Sequence, residues 1–187
     1  MLETIGQIDQ AITLLVNHFS NASADTLMIV ISDKKTWIPL YLGLLFLFNK
    51  IFGWKHSLVI VVAIILNLVL IDQISVIFKE YFMRLRPCHE ASLTEILKLP
   101  HGCGGKFGFV SSHAANTMGL AVLVSMILKN KWMTMAMLSF ALANGYSRVY
   151  LGKHYFFDVI GGFILGAILA WTVYQIMLYS IKRFKLQ

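Results

Sequence analysis

His154 and Asp158 stand four positions apart, and Ser147-Arg148 lies five residues before the histidine. That spacing puts His154 and Asp158 on one helical face. A carboxylate beside an imidazole holds it in one tautomer and raises its basicity. The other ring nitrogen is then an oriented nucleophile. The cations around it point to phosphorus as its target. Lys79 is followed after six residues by Arg86-Pro87, and Arg148 supplies a third positive charge. Guanidinium forks match phosphate oxygens in pairs, and lysine adds a point charge. Ser111 and Ser112 open an apolar block, where free backbone N–H groups of a helix start favour an anion. His113 follows them and is placed to protonate a leaving oxygen as general acid. Charge on the equatorial oxygens is met by the cations. This chemistry calls for no metal and no cofactor.

Positioning these groups requires elements, and the composition says which kind. Of the 187 residues, 58% are apolar and 13% charged, against about 25% charged in soluble domains. The apolar residues fall in long blocks, so the chain reads as one membrane-embedded domain over 1–187. Residues 2–19 set Leu2, Ile5, Ile8, Ile12, Leu15, Val16 and Phe19 at helical spacing, with Glu3, Gln7, Asp9 and Gln10 on the other side. That predicts an amphipathic helix in the membrane interface, or an ordinary packed helix. The start of the chain lacks the basic region and compact apolar core of a cleavable signal peptide. Spans are expected at Trp37–Phe52, 56–78, 114–128, 132–150 and 155–181. The stretch Leu27–Ile31 either dips into the bilayer or extends the first span. Residues 79–111, with Pro87, Pro100 and three glycines near position 103, form a loop. The expectation is an all-α integral membrane bundle of five to six transmembrane helices with an N-terminal amphipathic helix.

The net charge of +7 does not point to nucleic acid, because the basic residues sit at the ends of apolar blocks. Lys50 and Lys55, then Lys129 and Lys131, then Lys182, Arg183 and Lys185 all fall on one side of a five-span chain. Cytoplasmic loops carry the Lys/Arg excess. The loop 79–111 and the segment 147–154 then meet on the opposite, outer face. Cations on that face run against the usual bias and call for a function.

These three groups resemble the signature motifs of the type 2 phosphatidic acid phosphatase superfamily: Lys-x6-Arg-Pro, Pro-Ser-Gly-His and Ser-Arg-x5-His-x3-Asp. The first and third match in full at Lys79 to Pro87 and Ser147 to Asp158. The second matches at Ser111 and His113, with Val110 for the proline and Ser112 for the glycine. The resemblance covers residues 79–158. It implies a phosphohistidine on His154, acid–base work by His113 and orientation of His154 by Asp158. It also implies phosphate binding by Lys79, Arg86, Ser111 and Arg148, to which the extra hydroxyl of Ser112 can add. Small bacterial members act on lipid phosphates in the inner membrane with the site facing the exterior. Among these, undecaprenyl pyrophosphate is the first choice, because Lys79, Arg84, Arg86 and Arg148 suit more than one phosphate. Phosphatidylglycerophosphate, phosphatidic acid and lipid A phosphate are alternatives. Vanadium haloperoxidases share the motifs but are typically soluble. A lipid-binding or lipid-transporting protein is the non-enzymatic alternative, against which the intact His113, His154 and Asp158 argue.

Other polar residues carry quieter readings. His18, His56, His89 and His101 are ordinary surface histidines. Arg84 is divided between phosphate contact and solvated charge. Asp72, within an apolar span, is either functional or half of a buried hydrogen-bonded pair that packs spans, and the pair is the favoured reading. Asn116 and Thr117 either orient His113 or join helices. Cys88 and Cys103 can staple the outer loop in an oxidising compartment. Trp37, Trp54 and Trp132 suit interface positions.

Overall fold

Glycine, proline and small polar residues punctuate the apolar blocks and set where helices stop. The computed structural model describes residues 2–93 and 95–183. Lys185 of the third basic cluster lies outside them, as does the side chain of Leu2. The helices are α1 (Leu2–His18), α2 (Ala22–Ser32), α3 (Ile38–Phe82), α4 (Ser112–Leu128), α5 (Lys131–Tyr150) and α6 (Phe156–Arg183).

α3 is not one rod. Gly53 interrupts it at φ 75° and ψ 168°, a conformation open to glycine and strained for other residues. A straight helix of that length would run about 68 Å. Yet Tyr41 and Asp72 line one cavity, so the two arms fold back on each other. They correspond to the first two expected spans. With α4, α5 and α6 they give five membrane-embedded arms. Their outer faces are apolar: Leu42, Phe46, Val62, Ile65, Ile168 and Trp171 are each more than half exposed. Water would not tolerate so continuous an apolar surface. Mean hydropathy reaches 2.5 in α3 and 2.0 in α6, as lipid-facing helices require.

α2 is a separate helix of 11 residues, about 16 Å long and too short to cross a bilayer. Asn21 caps its start by accepting from Ala24 N, and Asp33 ends it in extended backbone. The Leu27–Ile31 stretch therefore does not extend the first span. Trp54 and Trp132 are exposed, as expected of interface residues. Trp37 instead turns inward. Its Nε1 donates to Ile31 O at 2.8 Å, and its ring meets Phe140 edge-on at 4.5 Å.

α1 departs most from expectation. Asp9, Thr13 and Asn17 are buried to about 1% exposure or less, whereas Ile5, Ile8, Leu15 and Phe19 are exposed. The helix is amphipathic, but Asp9 lies on its inner face and not on a watery polar one. Backbone groups at the end of α5 and in the loop before α4 explain this. Asn17 Nδ2 donates to Lys98 O at 2.8 Å and Tyr150 O at 2.7 Å. Asn17 Oδ1 accepts from Lys98 N at 2.9 Å. The polar stripe meets groups that would otherwise be orphaned, and the apolar side faces outward.

α4 and α6 pack along small residues. A Cβ on Gly162 would lie 2.6 Å from Ser111 O, and one on Gly166 would collide with Ala115 O. Glycine lets the two backbones approach. That approach brings the start of α6 against the start of α4, where Ser111 N donates to Asp158 O at 2.9 Å. The second and third motifs are thereby locked together.

Candidate active site

The end of α5 sets the position of His154. The α5 helix closes at Leu151, whose N–H donates to Ser147 O at 3.0 Å. Gly152 then turns the chain at φ 68°, and a Cβ there would lie 2.9 Å from Leu99 Cδ2. Arg148 O accepts from Lys153 N at 3.0 Å and His154 N at 3.3 Å. The Ser147–His154 spacing is thus a helix end, a left-handed turn and a return.

His154 is 2% exposed. It precedes α6 and does not share a helical face with Asp158, contrary to the spacing argument. The pair still meets: Nδ1 lies 3.4 Å from Asp158 Oδ2, close but off the hydrogen-bond angle, since Nδ1 has no bonded partner. Burial holds the imidazole well below its usual pKa, and the nearby charges of Arg86, Arg148, Lys79 and His113 push it further down. It is a neutral base with an available lone pair.

Asp158 is fully buried. Its Oδ2 accepts from Tyr155 N at 3.1 Å and its Oδ1 from Arg84 Nη1 at 2.8 Å. Arg84 also donates to Asp9 Oδ2 at 2.6 Å. Arg84 is therefore neither a solvated charge nor a phosphate ligand in this arrangement. It bridges two carboxylates.

The first motif reaches the site through a short antiparallel pairing. Leu85 faces Phe107, Arg86 N donates to Lys106 O at 3.1 Å and Gly108 N to Arg84 O at 2.8 Å. Cys88 and Cys103 form a disulfide with Cα atoms 5.8 Å apart, closing the loop as anticipated. His89 lies beside both sulfurs, but those sulfurs are bonded to each other and so are not thiolate metal ligands. Arg86 Nε donates to Phe107 O at 3.1 Å. Burial lowers the Arg86 pKa, and Asp158 pulls it back up. Lys79 Nζ donates to the Ser112 hydroxyl. Ser111 caps α4, its Oγ accepting from Ala114 N at 3.4 Å. Both serines reach the site, with the Ser111 hydroxyl engaged in the cap and that of Ser112 on the lysine.

Arg148 Nη1 donates to Ser32 Oγ at 2.5 Å, while its Nε is buried with no partner. A buried charged donor left unmet costs more than an ordinary lost hydrogen bond. An anion in the site would satisfy it. His113 lies on the other flank. Asn144 Nδ2 donates to Phe140 O at 2.9 Å, which turns Asn144 Oδ1 toward His113. His113 Nε2–H therefore donates to it at 3.2 Å, leaving Nδ1 free to exchange a proton. A cavity of about 450 Å³ opens beside His113, lined by Leu45, Phe48, Ile64 and Leu68 among other apolar residues. Its size falls in the ligand range.

Gly108 shows how tightly these parts fit. A Cβ there would lie 2.6 Å from Asp158 Oδ2 and 3.2 Å from Arg86 Cγ. Asp158 is pinned on both oxygens and cannot yield, and overpacking costs about 1–3 kcal/mol. Gly108→Ala should lower the melting temperature in detergent and reduce kcat at least about tenfold, since misplacing catalytic groups is costly. Unchanged kcat would show that the carboxylate has more room than these contacts allow.

The family model of the PAP2 superfamily matches residues 52–182. The chain belongs to the PAP2 superfamily. It is 35% identical over 179 residues to the lipid A 4'-phosphatase of Bacteroides thetaiotaomicron, covering 94% of this chain and 80% of that one. It is 26% identical over 170 residues to the undecaprenyl-diphosphatase of Bacillus subtilis, covering 90% and 82%. The crystal structure of the first transmembrane PAP2 type phosphatidylglycerolphosphate phosphatase from Bacillus subtilis superposes with a TM-score of 0.73 at 22% identity. That superposition covers 97% of this chain and 89% of the other. The five arms and two outer helices are thus a PAP2 fold, and the protein is a membrane-embedded PAP2 lipid phosphatase.

Several residues of this candidate site escaped the sequence reading. Asn144, the partner of His113, had a signal: a lone asparagine in an apolar span shortly before Ser147. Asp9 and Thr13 had one in their four-residue spacing. Lys153 adjoins His154 and is only 9% exposed. Burial and then Arg148 and Arg86 lower its pKa to about 8. Ser32 had no signal. Asn116 pairs with Asp72 at 2.8 Å, joining α3 and α4 as the favoured reading of Asp72 anticipated, but Asp72 is exposed and not buried. Thr117 Oγ1 donates to backbone carbonyls of its own helix, and neither residue hydrogen-bonds the His113 ring.

Proposed function

We propose that this protein hydrolyses a phosphate monoester from a lipid A type glycolipid at the outer face of a bacterial inner membrane. The observation that carries this reading is the 35% identity, over 94% of the chain, to a lipid A 4'-phosphatase. Undecaprenyl pyrophosphate, the first choice from sequence, loses its main support. That choice rested on four cations, and Arg84 is committed to Asp9 and Asp158. Lys79, Arg86 and Arg148 remain, enough for one phosphate.

In this reading His154 Nε2 attacks phosphorus and its Nδ1–H turns to Asp158. The bond from phosphorus to the sugar oxygen breaks, and His113 gives that oxygen a proton. Water then attacks phosphorus, the bond from phosphorus to His154 Nε2 breaks, inorganic phosphate leaves and His113 takes a proton from the water, so the enzyme returns to its starting state. Lys79, Arg86 and Arg148 hold the equatorial oxygens, and the unmet Arg148 Nε supports this placement. The apolar cavity beside His113 receives an acyl chain on the leaving-group side. Lys50, Lys55, Lys129, Lys131, Lys182 and Arg183 lie at the opposite end of the bundle and support a cytoplasmic location for it.

Phosphate release from purified protein in detergent tests the substrate. Lipid A should be hydrolysed with kcat/KM at least about tenfold above undecaprenyl pyrophosphate, phosphatidylglycerophosphate and phosphatidic acid, a preference of roughly 1.4 kcal/mol. Preference for undecaprenyl pyrophosphate would reverse the assignment. Binding of these lipids without phosphate release would favour a transporter.

A further inference from the structure

The first turn of α6 begins with three backbone N–H groups that no preceding helical turn can satisfy. Tyr155 N donates to Asp158 Oδ2 within the same segment. The other two are met from α1: Phe156 N donates to Thr13 Oγ1 at 3.1 Å, and Phe157 N to Asp9 Oδ1 at 2.8 Å. Asp9 then continues the connection. Its Oδ2 accepts from Arg84 Nη2 at 2.6 Å, and Arg84 Nη1 donates to Asp158 Oδ1 at 2.8 Å. The guanidinium lies over the Tyr155 ring at 4.3 Å. Asp9, Arg84, Asp158 and the start of α6 thus form a closed ring. Both carboxylates are buried to 1% exposure or less, and the two share one cation.

We propose that Asp9 and Arg84 are positioning residues for phosphoryl transfer, so that α1 sets the orientation of Asp158 and, through it, of His154. The proposal rests on the reading that Asp158 orients the nucleophile. Asp158 has no freedom of its own. Its Oδ2 must serve Tyr155 N and His154 Nδ1 together, and Arg84 fixes the rotation that decides whether it does. The 3.4 Å separation from His154 is short enough to close by a small rotation of the imidazole, whose Nδ1 has no other partner. A half-buried arginine with a rigid fork of donors is the side chain suited to hold two carboxylates at a fixed angle, which lysine cannot reproduce. Asp9 keeps Arg84 from being drawn wholly onto Asp158. It also ties that balance to the cap of the helix on which Asp158 sits.

The test uses the full chain in detergent, with Asp9→Asn, Arg84→Lys and the double variant. Phosphate release gives kcat and KM, and a melting curve reports folding. Each folded single variant should lose kcat by about 10–100-fold, as for other outer-shell partners of reactive groups. KM should stay within about twofold, because neither residue touches phosphate. The double variant should be no worse than the poorer single one, since both break the same ring. Should one single variant fail to fold, the other still carries the kcat and KM readout. Turnover within about twofold of wild type in either folded variant, or losses that appear in KM or multiply in the double variant, would overturn the proposal. Asp158→Asn separates the two layers. Its inactivity beside active Asp9→Asn and Arg84→Lys rejects the positioning role alone, whereas full turnover in Asp158→Asn rejects the underlying reading.

Discussion

His154→Ala should abolish turnover, by at least about 10⁴-fold, as removal of a covalent nucleophile does. The protein should remain folded and should still bind inorganic phosphate or vanadate. The structure separates these two properties. The cations that would hold the anion are Lys79, Arg86 and Arg148, and each is positioned by its own contacts. Arg86 is held by Phe107 O, Arg148 by Ser32, and Lys79 by Ser112. None of these anchors passes through the His154 ring. The ring itself has no hydrogen-bonded partner at Nδ1, so its loss strands no buried group. It leaves a cavity that water can fill, because cations surround it. Wild-type protein quenched in alkaline detergent should carry phosphate in an acid-labile, base-stable linkage, and the variant should carry none. Retained turnover in purified His154→Ala protein, or a phosphorylated variant, would reject this nucleophile.

Much of the candidate site was legible because the proposed chemistry dictates its residue types. A phosphate demands cations, and Lys79, Arg86 and Arg148 stand out in a chain with few charges. The lipid-facing arms were equally plain, since a bilayer requires long apolar blocks. What escaped was tertiary. The helical period of residues 2–19 was correct, but it does not say which face turns inward. In a membrane protein the usual rule inverts, and the polar stripe of Asp9, Thr13 and Asn17 is the buried one. Arg84 showed the same limit. A free arginine and a bridging arginine have one sequence signature, and only the position of Asp9 distinguishes them. The His154–Asp158 pair was identified for a reason that proved incomplete. Their spacing suggested a shared helix, whereas the contact is made across the start of α6 by groups held from α1 and α4.

His113→Ala should slow steady-state hydrolysis of the lipid substrate by about 10²–10⁴-fold, the range for loss of a positioned general acid–base. The leaving group decides which step suffers. A sugar alkoxide is a poor leaving group and needs the proton, so phosphoryl transfer to His154 should itself become slow. With p-nitrophenyl phosphate the departing phenolate needs little help. A rapid burst of p-nitrophenol should then persist in the variant, followed by slow turnover, because hydrolysis of the phosphohistidine still lacks its base. The burst amplitude should match the active enzyme concentration. His113→Asn tests whether the effect is merely lost packing, since its amide can still pair with Asn144 Oδ1 in place of Nε2. It should behave as His113→Ala does, because an amide neither gives nor takes the proton near neutral pH. Equal slowing of the burst on both leaving groups would place His113 in phosphate binding, and recovery by His113→Asn would reduce it to a support for α5. The division between first and second step follows from the geometry. Asn144 is fixed by Phe140 O, Nε2 of His113 is occupied by Asn144, and the remaining nitrogen must serve both the departing oxygen and the incoming water.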